Sequence, residues 1–430
     1  MFEFTPQKLV YGGEALGHYQ GRTVLVTGAL PGERLEVEEV RTSKGVVHAR
    51  PLRVLEAASE RVDPPCPYFG RCGGCHYQHL RPELQAKVKR GILRETLRHI
   101  GHIAWDGEIL THVAHPWNYR NQAQFKLARQ EDGRIELGFF EAGSHRLLPI
   151  ESCLIVSPKL NTVLSKLRSE DWREYLAPLG EIELLADERD EEVRITLRAG
   201  LDDSRSLTGE EAEDLGRRCL DLLPGVSSVG IERGRSFHVF GKPALTYAVD
   251  DFRYQVSHGS FFQASRFLLP EVLKSVTSGG LEDLAEARLA LDLFAGVGLF
   301  TLPLARRFSQ VIAVESNTQS ARDLAANARP FSNIRAMAQP VFDFLRRFAQ
   351  TAPDLVVLDP PRAGVAFPTL KLLAALRPKR IHYLSCHPPT LARDLAYFIA
   401  AGYRLGSLEM FDFFPQTFHI ESLARLTPLG

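Results

Sequence analysis

Apolar and polar residues alternate along this chain with two different periods, and the change of period divides it. Over the first sixty or so residues the repeat is two. Arg22–Leu30, Glu33–Thr42 and Val46–Leu55 carry β-branched residues with alternation, and Pro31-Gly32 and Lys44-Gly45 stand between them as turns. Short strands packed into so few residues predict a small barrel of the OB type. Asp63–Pro67 is proline-rich and marks a boundary. From Glu83 to Ile100 the repeat becomes helical, with Leu84, Val88, Ile92, Leu93 and Leu97 at helix spacing. From about Tyr119 to Lys242 the pattern is mixed and predicts α+β structure without a strand order.

The last third alternates short strands with helices. Arg288–Phe294, Val311–Glu315, Asp354–Leu358 and Ile381–Ser385 are apolar and strand-like, and Leu299–Phe308, Ser320–Ala328, Thr369–Leu376 and Leu391–Ala401 are helical. That order predicts a parallel sheet covered on both faces, with ligands at the carboxyl ends of its strands. Phe294, Glu315, Asp359 and Cys386 fall at those ends. In Asp292-Leu-Phe-Ala-Gly-Val-Gly298, Gly296 and Gly298 allow a tight turn and a close approach of backbone to ligand. Glu315, ending the next strand, can accept hydrogen bonds from both hydroxyls of a ribose. A dinucleotide site and a plain tight turn share these features. Asp359-Pro-Pro-Arg362 is a stiff loop whose prolines donate no N–H, able to hold a flat base beside Asp359; taken alone it is a turn.

Composition narrows the reading. The 430 residues are 44% hydrophobic and 24% charged, enough for two or three domains with real cores. Net charge is zero, so a nucleic-acid partner is not announced and any basic surface is local. Arg41, Lys44, His48, Arg50 and Arg53 are one such candidate, readable equally as a solvated strand face or as a phosphate surface. The longest apolar stretch, Leu289–Ala305, is broken by Asp292, Gly296, Gly298 and Pro303. No membrane span or signal peptide is expected, the expected location is the cytoplasm, and a monomer without an obligate protein partner is the default. Cys66, Cys72 and Cys75 cluster, whereas Cys153, Cys219 and Cys386 stand apart. A disulfide framework is not expected in such a chain. The C-x5-C-x2-C spacing plus a distant fourth thiol fits an iron–sulfur cluster and a structural zinc equally well.

Ser385-Cys386-His387-Pro388 closes the Ile381–Ser385 strand. A cysteine there is most often a small buried residue. There is a chemical alternative. Carbon 5 of a pyrimidine is a poor nucleophile, but thiolate attack on C6 makes it enolate-like and able to take a methyl group. A base must then remove the C5 proton so that the thiolate can leave. Pro415–Glu421 offers His419 and Glu421 as bases, which on a strand would face one side.

With these residues in place, nearly the whole chain resembles the RNA uridine-5-methyltransferase family, and within it the iron–sulfur 23S rRNA branch. Tyr11-Gly-Gly-Glu-Ala-Leu-Gly17 and Leu30-Pro-Gly-Glu33 are similar to the RNA-binding barrel called TRAM. Cys66–His79 is similar to the family's cluster motif, and Trp117–Asn121, Ile150–Cys153, Ser260–Gln263, Asp292–Gly298, Asp359–Arg362, Ser385–Pro388 and Pro415–Glu421 follow in order. The resemblance implies Cys386 as nucleophile and Glu421 as base. It implies Gln263, Phe294, Gly296, Gly298, Glu315 and Asp359 around S-adenosylmethionine and the uracil, and Cys66, Cys72, Cys75 and Cys153 around a [4Fe-4S] cluster. The implied architecture is a TRAM/OB-like barrel over residues 1–57, a central α+β iron–sulfur domain over 58–250 and a Rossmann-like methyltransferase domain over 251–430. Barrel and cysteines together imply 23S rRNA rather than tRNA as partner, since the tRNA branch generally lacks both. His387 stands where asparagine is usual, and Gln124 where some members carry arginine. A DNA cytosine-5-methyltransferase would place its nucleophile after proline, whereas Cys386 follows serine. A non-catalytic RNA-binding factor would need neither Cys386 nor Glu421.

Overall fold

The computed structural model describes residues 1–130, 134–200, 207–234, 236–282, 287–349 and 352–429. Residues 2–56 form one six-stranded sheet. The strands foreseen at its centre appear as Arg22–Thr27, Arg34–Ser43 and Val46–Glu56, joined by three shorter ones, Phe2–Phe4, Lys8–Leu9 and Glu14–Tyr19. Alternation does the work here: Val24 and Val26 point inward with Val37, while their neighbours face out. The order leaves Phe2–Phe4 and Lys8–Leu9 as the two edges, so among the described residues hydrogen bonding does not close the sheet on itself. Its basic residues are largely neutralised. Arg50 bonds Glu38 at 2.6 Å, Arg53 lies 3.6 Å from Glu36 and His48 3.3 Å from Glu14. That favours the solvated-face reading of this patch over a phosphate surface.

The central region is built on a seven-stranded sheet running from Leu147–Pro149 at one edge to Ser236–Gly241 at the other, with the helices Pro158–Leu167 and Gly209–Leu222 packed on it. Cys219 lies fully buried in that core, as a small apolar side chain.

The third sheet carries the chemistry. Its eight strands lie in the order Ile334–Ala338, Gln310–Glu315, Leu289–Leu293, Leu355–Leu358, Ile381–Ser385, Glu421–Pro428, Tyr403–Asp412 and Ile109–Val113. The first five are parallel, and Glu421–Pro428 runs antiparallel between two neighbours. The alternation foreseen in the last third is therefore present. The chain departs from a contiguous division at Pro82–Val113. The Pro82–Gly101 helix packs against Pro388–Ala400, so closely that a side-chain carbon on Gly101 would come within 2.7 Å of the Ala392 carbonyl, and Ile109–Val113 is the edge strand of the catalytic sheet. Periodicity alone does not reveal this, because strand pairing is a long-range property. None of the described helices is long and apolar enough to cross a membrane.

Candidate active site

Sheet topology brings the candidate residues together. Phe294, Glu315, Asp359 and Cys386 stand at the carboxyl ends of four parallel strands. Glu421 opens an antiparallel strand, so its first residue lies at that same end. The register pairs Ser422 with Ser385, which sets Glu421 beside Cys386. His419 falls in the loop before the strand and does not share a strand face with Glu421, contrary to the expectation from the sequence. The strand begins where Glu421 pairs with Phe411, one residue before Ser422 pairs with Ser385.

The turn after Leu289–Leu293 is strained and open. Phe294 adopts φ 66°, at a cost of about 1–3 kcal/mol for a residue with a side chain. Gly296 (φ 56°) and Gly298 (φ 96°) follow in the same left-handed region. A side-chain carbon on Gly296 would meet nothing within 4 Å, whereas one on Gly298 would strike Leu324 at 2.8 Å. Gly298 therefore serves packing, and Gly296 leaves room above the turn. Glu315 accepts from the backbone N–H of Gly296 at 2.9 Å and of Asn317 at 2.6 Å, which fixes its carboxylate beside that room. Buried Asp292 accepts from the Thr301 hydroxyl through one oxygen, and its other oxygen has no partner. Burial pushes Asp292 up to about 7.

Around Cys386 the charges are unbalanced. Desolvation raises Asp359 to about 7, with Asp292 adding to the effect. Desolvation and the Asp359 carboxylate hold Glu421 well above the usual carboxylate range, against the pull of Arg362. Burial, then Glu421 and Asp359, push the Cys386 thiol up to about 12, and Arg362 opposes them. Cys386 also stands just before His387, the N-cap of the helix Pro388–Ala400, whose positive N-terminal end favours an anion. A cationic ligand would bring these acids back towards their ionised forms. His419 is a much weaker base than Glu421: burial and Arg362 bring it down to about 3. His387 caps the helix, its Nδ1 accepting from the Thr390 N–H at 3.3 Å. Histidine thus keeps the capping function that asparagine would perform.

Gln263 reaches the site from a loop. Its Nε2 lies 3.5 Å from Asp359 Oδ2. Asp323 holds that loop in place by accepting from the N–H and hydroxyl of Ser257 and from the Ser260 hydroxyl at 2.6 Å. Arg362 and Tyr11 were not singled out as site residues in the sequence. Tyr11, from the N-terminal sheet region, meets His387 and Phe418 edge-on at ring distances of 5.2 and 5.3 Å. The Asp359–Arg362 loop signalled the arginine; nothing local signals that Tyr11 comes so near.

The second candidate site lies elsewhere. Cys66, Cys72, Cys75 and Cys153 line one cavity of about 290 Å³ together with Tyr68, Gln78 and Arg120. All four thiols are free. Burial raises Cys72, Cys75 (to about 12) and Cys153, and neighbouring cysteines add to the rise. Among the described residues, no group of three or more Cys, His, Asp or Glu side chains is gathered tightly enough to hold a metal ion. The thiols surround a space; they do not converge on a point.

Residues 84–427 match the family described as tRNA (uracil-5-)-methyltransferase. The chain belongs to the RNA uracil-5-methyltransferase family. Membership makes it an S-adenosylmethionine-dependent enzyme acting on C5 of uracil in RNA. The methyltransferase is 33% identical over 425 residues to the 23S rRNA (uracil(1939)-C(5))-methyltransferase RlmD of Pectobacterium atrosepticum, covering 96% of this chain and 90% of that one. It is equally 33% identical to an uncharacterised RNA methyltransferase of Synechocystis sp., covering 97% and 94%. Its fold matches the Pyrococcus abyssi tRNA (uracil-54, C5)-methyltransferase in complex with S-adenosyl-L-homocysteine, with TM-score 0.75, 22% identity and coverage of 99% and 100%. A tRNA enzyme therefore shares the whole-chain architecture. That removes architecture as an argument for an rRNA substrate, because the N-terminal and central regions do not distinguish the two.

Proposed function

We propose that this methyltransferase modifies a uridine of 23S rRNA through a covalent adduct between Cys386 and C6 of the base. The observation that carries the mechanism is the Ser385–Ser422 register, which sets a thiol and a buried carboxyl at one end of one sheet. Arg362 and the helix N-terminus at Pro388 favour the Cys386 thiolate. The thiolate adds to C6, and C5 gains the electron density to accept a methyl group. S-adenosylmethionine, when bound, supplies that methyl on a cationic sulfur. Glu421 then takes the C5 proton, the Sγ–C6 bond breaks, and Cys386 leaves as thiolate. The raised basicity of Glu421 suits it for this step, and neutral His419 is the poorer candidate. Gln263, Phe294, Gly296, Glu315 and Asp359 would hold the donor and the base, with Gly298 packing the turn. A target within a stack must leave it to reach Cys386.

The rRNA assignment rests on full-length likeness to the Pectobacterium 23S rRNA enzyme. We assign Cys66, Cys72, Cys75 and Cys153 to a [4Fe-4S] cluster. A thiol-lined cavity of this volume suits a polynuclear cluster better than one zinc ion, and the unpartnered buried Nε of Arg120 supplies a cation against its negative charge. Such a cluster would stabilise and orient the loops that bear it. The test incubates the protein with S-adenosylmethionine and either 23S rRNA fragments or tRNA, with Cys386→Ala in parallel. 5-Methyluridine is mapped by mass spectrometry. Product on rRNA alone, absent with the variant, is expected; product on tRNA alone overturns the substrate assignment.

A further inference from the structure

The loop that ends in Glu421 is held from outside its own sheet. Three consecutive carbonyls of this loop are each taken by a donor from residues 76–119. Lys89 Nζ donates to Phe414 O at 2.9 Å, the Tyr119 hydroxyl to Pro415 O at 2.9 Å, and the N–H groups of His76 and Tyr77 to Gln416 O at 2.8 and 2.9 Å. Gln416 is fully buried and takes φ 67°, a conformation that a residue with a side chain holds only when its surroundings impose it. Gln85 does much of the imposing. Its Oε1 accepts from the Gln416 N–H at 2.7 Å, and its Nε2 lies 2.9 Å from Gln416 Oε1 and 3.0 Å from Tyr77 O. His76 follows Cys75 directly, so the wall of the thiol-lined cavity and the clamp on the loop are one stretch of chain.

We propose that Gln85 and the His76–Tyr77 backbone are positioning elements for the proton-abstracting carboxylate. The inference rests on the assignment of Glu421 as base. Towards Cys386 the pairing starts only at Ser422 with Ser385; Glu421 is held on its other side by Phe411 and stands at the strand's first position, next to the incoming turn. A carboxylate displaced by about 1 Å loses on the order of 10²-fold in rate. The loss falls on elimination and not on thiolate addition, because Cys386 is placed by a different strand. Loosening the clamp therefore leaves methylated RNA attached to Cys386.

The experiment measures denaturant-stable, methylated protein–RNA adduct and turnover for wild type, Glu421→Gln, Gln85→Ala and Gln416→Gly, on the RNA that the wild type methylates. Glu421→Gln must accumulate adduct; if it does not, the base assignment fails and the inference falls with it. With that control met, Gln85→Ala is expected to accumulate adduct, with kcat at least ten-fold down and KM within two-fold. Gln416→Gly keeps the backbone groups of the clamp but loses the bond from Gln85 Nε2, and is expected to accumulate less adduct than Gln85→Ala. Release of product by Gln85→Ala at the wild-type rate overturns the proposal. Joint loss of adduct and product in Gln85→Ala also overturns it, since the residue then supports the site as a whole and not one step.

Discussion

Two pockets of this enzyme crowd weak acids around a single guanidinium, and they are made differently. At the catalytic end of the sheet, Glu421 and Cys386 both feel Arg362, with Asp359 acting on both in the opposite sense. In the cysteine cavity four thiols share a lining with Arg120, which acts on Cys72 and Cys153. The first is assembled from strand ends, whose positions are fixed by a hydrogen-bonded ladder before any ligand arrives. In the second, all four thiols stand on loops: Cys66, Cys72 and Cys75 in the 66–78 segment and Cys153 between Leu147–Pro149 and Pro158–Leu167, joined to the edge of the central sheet by contacts such as Gly73 N–H to Phe140 O at 3.2 Å and the Cys72–Glu141 bridge. A ladder holds its geometry empty; a loop-built cavity depends on what fills it. The catalytic pocket should therefore respond to substitutions through chemistry, and the cysteine cavity through folding.

The sharpest contrast is between two cysteines. Cys386→Ala is expected to lower methyl transfer by about 10⁴-fold or more while leaving thermal unfolding nearly unchanged. Cys75→Ser is expected to lower bound iron and melting temperature together. Metal analysis of anaerobically purified protein checks this, with about four irons per chain expected in the wild type. If Cys386→Ala unfolds early, or Cys75→Ser keeps its iron and its melting temperature, the contrast is wrong. Lys89 and Asp412 form a buried ion pair, 2.7 Å apart. Lys89→Met strands a carboxylate in the interior and should cost about 3–5 kcal/mol in chemical denaturation. Adding Asp412→Leu should recover much of that loss.

A smaller effect follows from the acids themselves. Asp292 and Asp359 are both raised to about 7 from the ordinary range near 3.8. A carboxyl raised on folding contributes stability that is present below its unfolded value and lost as pH rises through the folded one. Buried His258, His382 and His419, each held down to about 3, act in the opposite direction, so the carboxyl contribution is read as a difference: in donor-free protein the melting temperature of wild type relative to Asp292→Asn should be higher at pH 5 than at pH 8. A difference that does not shrink as pH rises would show that Asp292 is not held protonated. The smallest effect is expected at the N-terminal sheet. Arg50 is already paired with Glu38, and Arg50→Ala should change RNA affinity by less than about two-fold in a filter-binding titration.

Legibility in the sequence follows the range of the forces. Phe294, Glu315, Asp359 and Cys386 could be placed because each ends an apolar run, and the ligand-binding end of a parallel sheet is set by chain direction. Glu421 was readable as a base, but its proximity to Cys386 needed an antiparallel register that no local pattern encodes. The strand Ile109–Val113 went unread for the same reason. Gln85 and Lys89 do carry a local signal. Both sit on the buried face of their helix with Ile92, Leu93 and Thr96, where polar residues require partners. The sequence could nominate the cysteines, but one cavity wall holding both thiols and catalytic loop emerges only from packing.

The edge strand Ile109–Val113 also has a consequence for biosynthesis. Ile109 lies opposite Leu408, so the catalytic sheet is complete only when almost the whole chain has been made. At about 5–20 residues per second the early strand waits tens of seconds for its partner. Throughout that interval a segment destined for pairing is exposed to other nascent chains. The helix Pro82–Gly101 next to it carries Lys87, Arg90, Arg94 and Arg98, whose charge repels neighbours of the same kind and guards the waiting strand against premature association.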